Sequence, residues 1–272
     1  MNKNLFLKHK VININNYKYD YDNINKIIKN NKVQEERIKI LKDYLITYNF
    51  DKKIRFGINS DGGYVVGDLD ITYDLYISAG VSNEESFSRD FIKKYNLKKN
   101  QCYAFDGTIE DYPYEYTNEI TFIKKNINSF NDDSNTNLDF LLNNYKNIFI
   151  KMDIEGAEYL WILNLTEDQL NNISQITLEF HGITSDDWGT NFDNKIKCFE
   201  KLNLSHYIVH AHGNNYGELD NGIPKVIELT YINKKLFNEK PELNKSKLPT
   251  KGLDYSNNSL NDYDLNFYPF VN

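Results

Sequence analysis

Between residues 54 and 232 the chain alternates short apolar runs with stretches of helical period, and that alternation leaves few folds open. Residues 73–79 (YDLYISA) read as a buried strand and 86–95 as the helix after it. Residues 101–105, 120–124, 147–152 and 175–180 read as further strands. Residues 138–145, 156–163 and 192–202 carry apolar side chains at three- and four-residue spacing, which predicts helices between those strands. Strands that alternate with helices need crossover connections, and these build a parallel sheet with helices on both faces. The last two strands differ. Residues 206–211 and 224–232 are joined by a Gly/Asn-rich loop, 213–222, too short for a helical crossover, so they should pair as an antiparallel hairpin. The expected fold is α/β, with a mostly parallel seven-stranded sheet closed at one edge by that hairpin.

Two flanks lie outside the alternation. Residues 1–50 form an N-terminal extension in which Val33, Ile38, Leu41, Leu45 and Ile46 predict a helix over 33–48. Its apolar stripe should pack on the main domain, residues 51–235; a second copy of the chain, giving a homodimer, is the other candidate to cover it. Residues 236–272 are polar and contain Pro241, Pro249 and Pro269. Their aromatics, Tyr255, Tyr263, Phe267, Tyr268 and Phe270, predict a tail packed on the domain.

Composition excludes several classes of partner. Lys and Arg number 32 against 39 Asp and Glu, a net charge of −7, whereas a nucleic-acid binder needs a basic stripe. The two cysteines, Cys102 and Cys198, cannot build a disulfide framework and suit a reducing compartment, so a cytoplasmic protein is expected. No run approaches ~18 apolar residues and residues 1–16 contain no apolar signal segment, so no membrane span is expected. A small molecule or a glycan remains the expected partner.

Open parallel sheets bind ligands beyond the carboxyl ends of their strands, so the residues there are the site candidates. Gly80 follows the first strand and allows a close turn, and the helix starting near Ser86 offers amides for a carboxylate. Asp106 ends the second strand, where nucleotide-binding units carry an acid for ribose hydroxyls, although an Asp before Gly107 also suits a turn. Asp153 ends the most apolar strand and faces the expected crevice. Glu155 and Glu158 serve either the site or the dipole of the next helix. Glu179 and His181 share a strand face, as do His210 and His212. Carboxylates and histidines at neighbouring strand ends can bind a divalent metal or act as a general base. Tyr112, Tyr114 and Tyr116 alternate after the second strand, either to stack on a sugar ring or as a packed loop.

Residues 151–158, KMDIEGAE, resemble the K-[IM]-D-[IV]-E-G-A-E signature of the FkbM-type methyltransferases. DGGYV at 61–65, SAGVSNEESFS at 78–88, LEFHG at 178–182 and HAHGNN at 210–215 are similar to one branch of that superfamily. The resemblance spans about residues 54–232. It implies a class I, Rossmann-like methyltransferase fold, S-adenosyl-L-methionine as donor, and transfer to a hydroxyl, of a nucleotide-sugar or surface glycan. It also implies that Gly80 and its loop, with Ser78, Asn83, Glu84 and Ser86, hold the methionine part of the donor. Asp106 and Gly107 would meet its ribose, and Asp153 would lie near the transferred methyl.

A sugar hydroxyl is a poor nucleophile until its proton is removed or polarised. The expected base is His181 or His212, with Asp153 orienting it or the acceptor; for a divalent metal, the expected ligands are Asp153, Glu179 and His181. The chain departs from the family's common form at Ser78, Ser82 and Glu84, which stand in place of an acidic residue and further glycines. That keeps open a binding protein of methyltransferase fold without catalysis. An NAD-dependent sugar oxidoreductase is also compatible with the Asp106 position, but no Tyr-x-x-x-Lys pair stands at a crevice position.

Overall fold

The structure, a computed structural model, describes residues 14–113 and 118–272, without the side chains of 14–22, 24 and 25. Residues 1–13 of the N-terminal extension, and Tyr114 and Tyr116, therefore lie outside the described residues. A long helix, α1 (Ile14–Tyr44), leads into a short hairpin, β1 (Lys53–Phe56) and β2 (Tyr64–Gly67). Strand–helix alternation follows: β3 (Leu75–Ala79), α2 (Ser86–Tyr95), β4 (Cys102–Phe105) and β5 (Thr121–Ile123). A two-stranded parallel pair, β6 (Asn126–Ile127) and β7 (Asn135–Thr136), precedes α3 (Asp139–Leu142) and β8 (Ile148–Met152). Next come α4 (Glu158–Asn164), α5 (Glu167–Asn172), β9 (Ile173–Phe180), α6 (Phe192–Ser205) and β10 (His206–Gly213). A miniature hairpin, β11 (Leu219–Asp220) and β12 (Ile223–Pro224), stands before β13 (Ile227–Asn233).

Seven strands join in the order β10-β13-β9-β8-β3-β4-β5. Every neighbouring pair from β9 to β5 is parallel, whereas β13 is antiparallel to both β9 and β10. Only β13 therefore runs against the others. This is a mixed α/β domain with a mostly parallel sheet, compatible with a Rossmann-like fold. Every residue of β3, β8 and β9 is buried, as expected for strands covered on both faces.

The two faces are covered differently. On one, Leu75, Ile77, Ile150 and Leu178 pack in a single core with Leu41 of α1, Trp161 of α4 and Phe199 of α6. On the other, Tyr76 and Phe149 lie beneath Phe87 and Phe91 of α2, joined by Phe56 and Tyr64 of the hairpin. The ring centroids of Phe91 and Phe149 are 4.1 Å apart and those of Tyr76 and Phe91 4.8 Å. Beyond β8 this second face turns polar, with Gln175, Thr177 and Glu179 on β9 and Glu228 and Thr230 on β13. The hairpin satisfies part of it. Gln175 Oε1 accepts from Gly67 N at 2.6 Å and its Nε2 donates to Gly67 O at 3.0 Å, while Thr230 Oγ1 donates to Val65 O at 2.6 Å.

The flanks differ in part from expectation. The helix runs Ile14–Tyr44 rather than 33–48, and Val33 is 47% exposed, so the apolar stripe engages the domain only from Ile38 on. Leu248, Leu265 and Phe270 of the C-terminal segment are buried in the main core, and Asn244 N bonds Thr47 O at 2.9 Å. Among the described residues no helix is long and apolar enough to cross a membrane.

His206 opens β10 almost fully buried, with Nε2 3.0 Å from Ile173 O and Nδ1 2.7 Å from Ser205 Oγ. Burial pushes its pKa down to about 4, and the bond to the Ile173 carbonyl opposes this only in part. An unfolded histidine takes its proton near 6.5, so between those values the unfolded chain binds more protons and stability falls as pH falls. The full effect is roughly 3 kcal/mol. Urea midpoints measured from pH 7 to pH 4 should drop less steeply for His206→Gln than for the wild type. An unchanged slope would assign the loss to other groups.

Candidate functional site

A cavity of about 540 Å³ opens where β3, β4 and β8 end, within the size range of small-molecule sites. Gly80 forms its turn. Its φ is +78°, and a β-carbon there would stand 1.6 Å from the Asp153 carbonyl oxygen. Only glycine lets the ends of β3 and β8 approach this closely, and Asp153 N bonds Ala79 O at 3.0 Å. Lys151 Nζ donates to Gly80 O at 2.7 Å and lies 5.5 Å from the Tyr64 ring centre.

Asp106 holds the same loop from the next strand. Its Oδ2 accepts from Val81 N at 3.0 Å and Ser82 N at 2.9 Å; its Oδ1 accepts from Thr108 N at 2.7 Å and Thr108 Oγ1 at 2.6 Å. Burial opposes ionisation, but these bonds outweigh it and hold the carboxyl below its usual range. Four donors engage the two oxygens of Asp106. Asp106 is thus both a wall of the cavity and the clamp of its Gly80 turn.

Of the expected donor contacts, Gly80, Asn83, Glu84 and Asp106 line the cavity, whereas Ser78, Ser86 and Gly107 do not. Ser78 points to the α2 face, where its hydroxyl donates to Glu85 Oε1 at 2.9 Å. Ser86 Oγ accepts from Ile58 N at 2.9 Å, and Gly107 backs onto the Asn126 side chain. The amide of Ser86 is not open to a ligand either, because Glu84 Oε1 accepts from it at 2.6 Å. Glu85, which the sequence did not single out, is fully buried and also accepts from Tyr112 OH at 2.8 Å; burial pushes its pKa up. Tyr112 is therefore a packed residue rather than an open stacking surface.

Beside the cavity, acidic groups converge: Asp61, Asp153 and Glu155 line it, whereas Glu179 and His181 stand behind them. Asp153 Oδ1 is buried without a hydrogen-bond partner. Glu179 Oε1 accepts from Asn214 Nδ2 at 2.9 Å and its Oε2 from Tyr64 OH at 3.3 Å. His181 Nε2 is 3.4 Å from Glu155 Oε2 and 3.5 Å from Glu179 Oε1, and its ring lies 4.8 Å from that of Trp188. The sequence-predicted set Asp153, Glu179 and His181 brings one ligating atom from each within 4.8 Å of the others, and Asp61, Glu179 and Glu228 do the same. Burial, then Asp153, Glu228 and Asp61, push the Glu179 pKa well up. Burial likewise raises that of Asp153, against the opposing Lys151 and His181. Asp61 was legible only as part of the DGGYV segment; it reaches the cleft through the β1–β2 turn.

One expectation needs correction. His212 is not a base and does not line the cavity. Its Nδ1 is 3.1 Å from Glu228 Oε2 and its Nε2 3.1 Å from Asp262 Oδ1. Burial alone would lower its pKa, but these carboxylates raise it to about 10, so the ring is already protonated at neutral pH. Glu158 takes the second of its two expected roles, in the first turn of α4: its Oε1 accepts from Ile154 N at 2.8 Å, and burial raises its pKa to about 8. His210 bonds Asp254 at 2.8 Å and is structural in the same way.

Gly80→Ala should cost at least about 1–3 kcal/mol, because it combines an unfavourable φ with a backbone clash. Denaturant unfolding checks this. A variant as stable as the wild type would mean that the Gly80 turn relaxes away from Asp153.

The chain matches no protein-family model and no curated protein.

Proposed function

We propose that the protein is an S-adenosylmethionine-dependent O-methyltransferase acting on a sugar hydroxyl. The observation that carries this reading is the strand order, with β13 inserted antiparallel between β9 and β10. A parallel sheet closed by such a hairpin is the class I methyltransferase layout, whereas a dinucleotide-binding sheet continues in parallel. The KMDIEGAE resemblance falls on the β8 end of the same sheet, and that end faces the cavity.

The residues present suit the donor. The Gly80 turn leaves no room for a β-carbon, and Asn83, Glu84 and Asp106 stand around the space beside it. When bound, the donor supplies an electrophilic methyl group: a C–O bond forms to the acceptor as the C–S bond breaks with its electron pair on sulfur. The chain's own part is to orient the acceptor oxygen and take its proton. Asp153 Oδ1 and His181 Nδ1 are buried without partners and belong to the cluster where that proton would go. Asp153 ends the strand beside Gly80, which puts it next to the donor space and makes it the orienting group.

A second reading is a binding protein that retains the fold without turnover. The full engagement of Asp106 and the Glu84 bond to Ser86 N favour it, since both use groups a donor would need.

Calorimetric titration with S-adenosylhomocysteine separates the two. The methyltransferase reading expects micromolar binding at one site per chain. Asp153→Ala should then lose roughly a hundredfold or more in methyl transfer to a sugar acceptor, with donor affinity little changed. Folded protein that binds no S-adenosylhomocysteine would leave the binding-protein reading in its place.

A further inference from the structure

We propose that Asp153, Glu179 and His181 hold a divalent cation beside the cavity, whose wall Asp153 forms. Their ligating atoms already lie within 4.8 Å of one another. Metal–ligand bonds of about 2.1 Å place neighbouring ligands roughly 3 Å apart and opposite ones roughly 4.2 Å apart. Small side-chain rotations close that gap.

The neighbouring set, Asp61, Glu179 and Glu228, has the same spacing, but protein donors engage all three of its carboxylates. Asn257 Nδ2 donates to Asp61 Oδ1 at 3.0 Å and to Glu228 Oε1 at 2.7 Å, and His212 lies 3.1 Å from Glu228. The proposed site is open in the sense that matters. Asp153 Oδ1 and His181 Nδ1 have no partner, although His181 is only 6% exposed. Native structures leave few buried polar atoms in that state, and here two fall in one cluster.

Charge points the same way. Asp153, Glu155 and Glu179 surround a single imidazole. The nearest ammonium, Lys151, is committed to Gly80 O, 2.7 Å away. Carboxylates drawn out of water need a cation or a proton. Two carboxylates and one imidazole suit a cation that accepts both donor types, such as Mn²⁺, and leave coordination positions free on the cavity side. The support around His181 is built in. Trp188 packs against the ring in a tilted pair, and the buried Lys195 ammonium donates to Gly182 O and Asp187 O at 2.6 Å each, fixing the loop that carries both residues.

Cation binding stands independently of the methyl-transfer reading. Its role rests on that reading: a cation here would lower the pKa of the acceptor hydroxyl directly.

The test is Mn²⁺ binding to the EDTA-stripped full chain, followed by electron paramagnetic resonance and calorimetry. The expected result is one Mn²⁺ per chain. Glu179→Gln and His181→Asn should each weaken it by about tenfold or more, and Asp61→Asn by less than about twofold. Circular dichroism verifies that each variant is folded. Wild-type protein that binds no Mn²⁺ overturns the proposal without needing any variant. Binding that survives His181→Asn but falls with Asp61→Asn overturns it too, by placing the ion in the neighbouring set. Titrating S-adenosylhomocysteine into the same samples keeps the two readings apart: Mn²⁺ binding without donor binding leaves the cation site standing and removes the donor.

Discussion

Glu179 and Glu228 stand directly opposite each other on β9 and β13, both buried, and much of the surrounding structure keeps that pair tolerable. Like charges in register across two strands repel, and each carboxylate also loses hydration. The compensation comes from far along the chain. Tyr64 arrives with the β1–β2 hairpin, and Asn214 and His212 with the end of β10. Asn257 and Asp262 arrive with the C-terminal segment, which would otherwise have little reason to lie on this face. Charge thus continues what apolar burial begins. Leu248, Leu265 and Phe270 fasten the tail, and its polar residues complete the lid over the glutamates.

This divides the second face of the sheet into two materials. Under α2 it is a stack of rings, Tyr76, Phe87, Phe91 and Phe149, with the rigidity of close aromatic packing. Under the hairpin it is a hydrogen-bonded polar layer. The seam follows β8, whose Phe149 belongs to the rings and whose Lys151 points into the polar half. The cavity opens at the end of that seam. One wall, the Gly80 turn, is set by the backbone and by the Asp106 clamp. The other, the acidic cluster, is set by electrostatics. A ligand spanning both would meet a fixed cradle on one side and a proton- or cation-seeking surface on the other.

The sheet was legible because β3 and β8 are nearly continuous apolar runs, as strands covered on both faces are. The strand ends were legible for the same reason: Asp153 and Glu179 interrupt apolar runs where the cleft must lie. The hairpin β1–β2 was not, because its first strand, Lys53–Phe56, is four residues long, mostly half-buried and without alternation. Its place is fixed by Gln175 and Thr230, more than a hundred residues later. Helix α5 did carry a signal, the Thr166 and Gln169 capping box, too brief to stand out by period. Ser78 was misplaced because alternation turns it to the α2 face, where Glu85 awaits it. The protonated state of His212 depends on Asp262, which no local pattern can reveal.

Glu179 belongs to both acidic sets, and this sharing gives the site its logic. The closed set, with Asn214, Asn257 and His212, anchors Glu179 from behind and supplies its hydrogen bonds. The other set, with Asp153 and His181, contains two buried atoms that no protein group satisfies. Asp153 brings one of these atoms to the cavity wall, where an incoming proton or cation gains most. The low dielectric that makes the vacant cluster costly also strengthens whatever charge it receives.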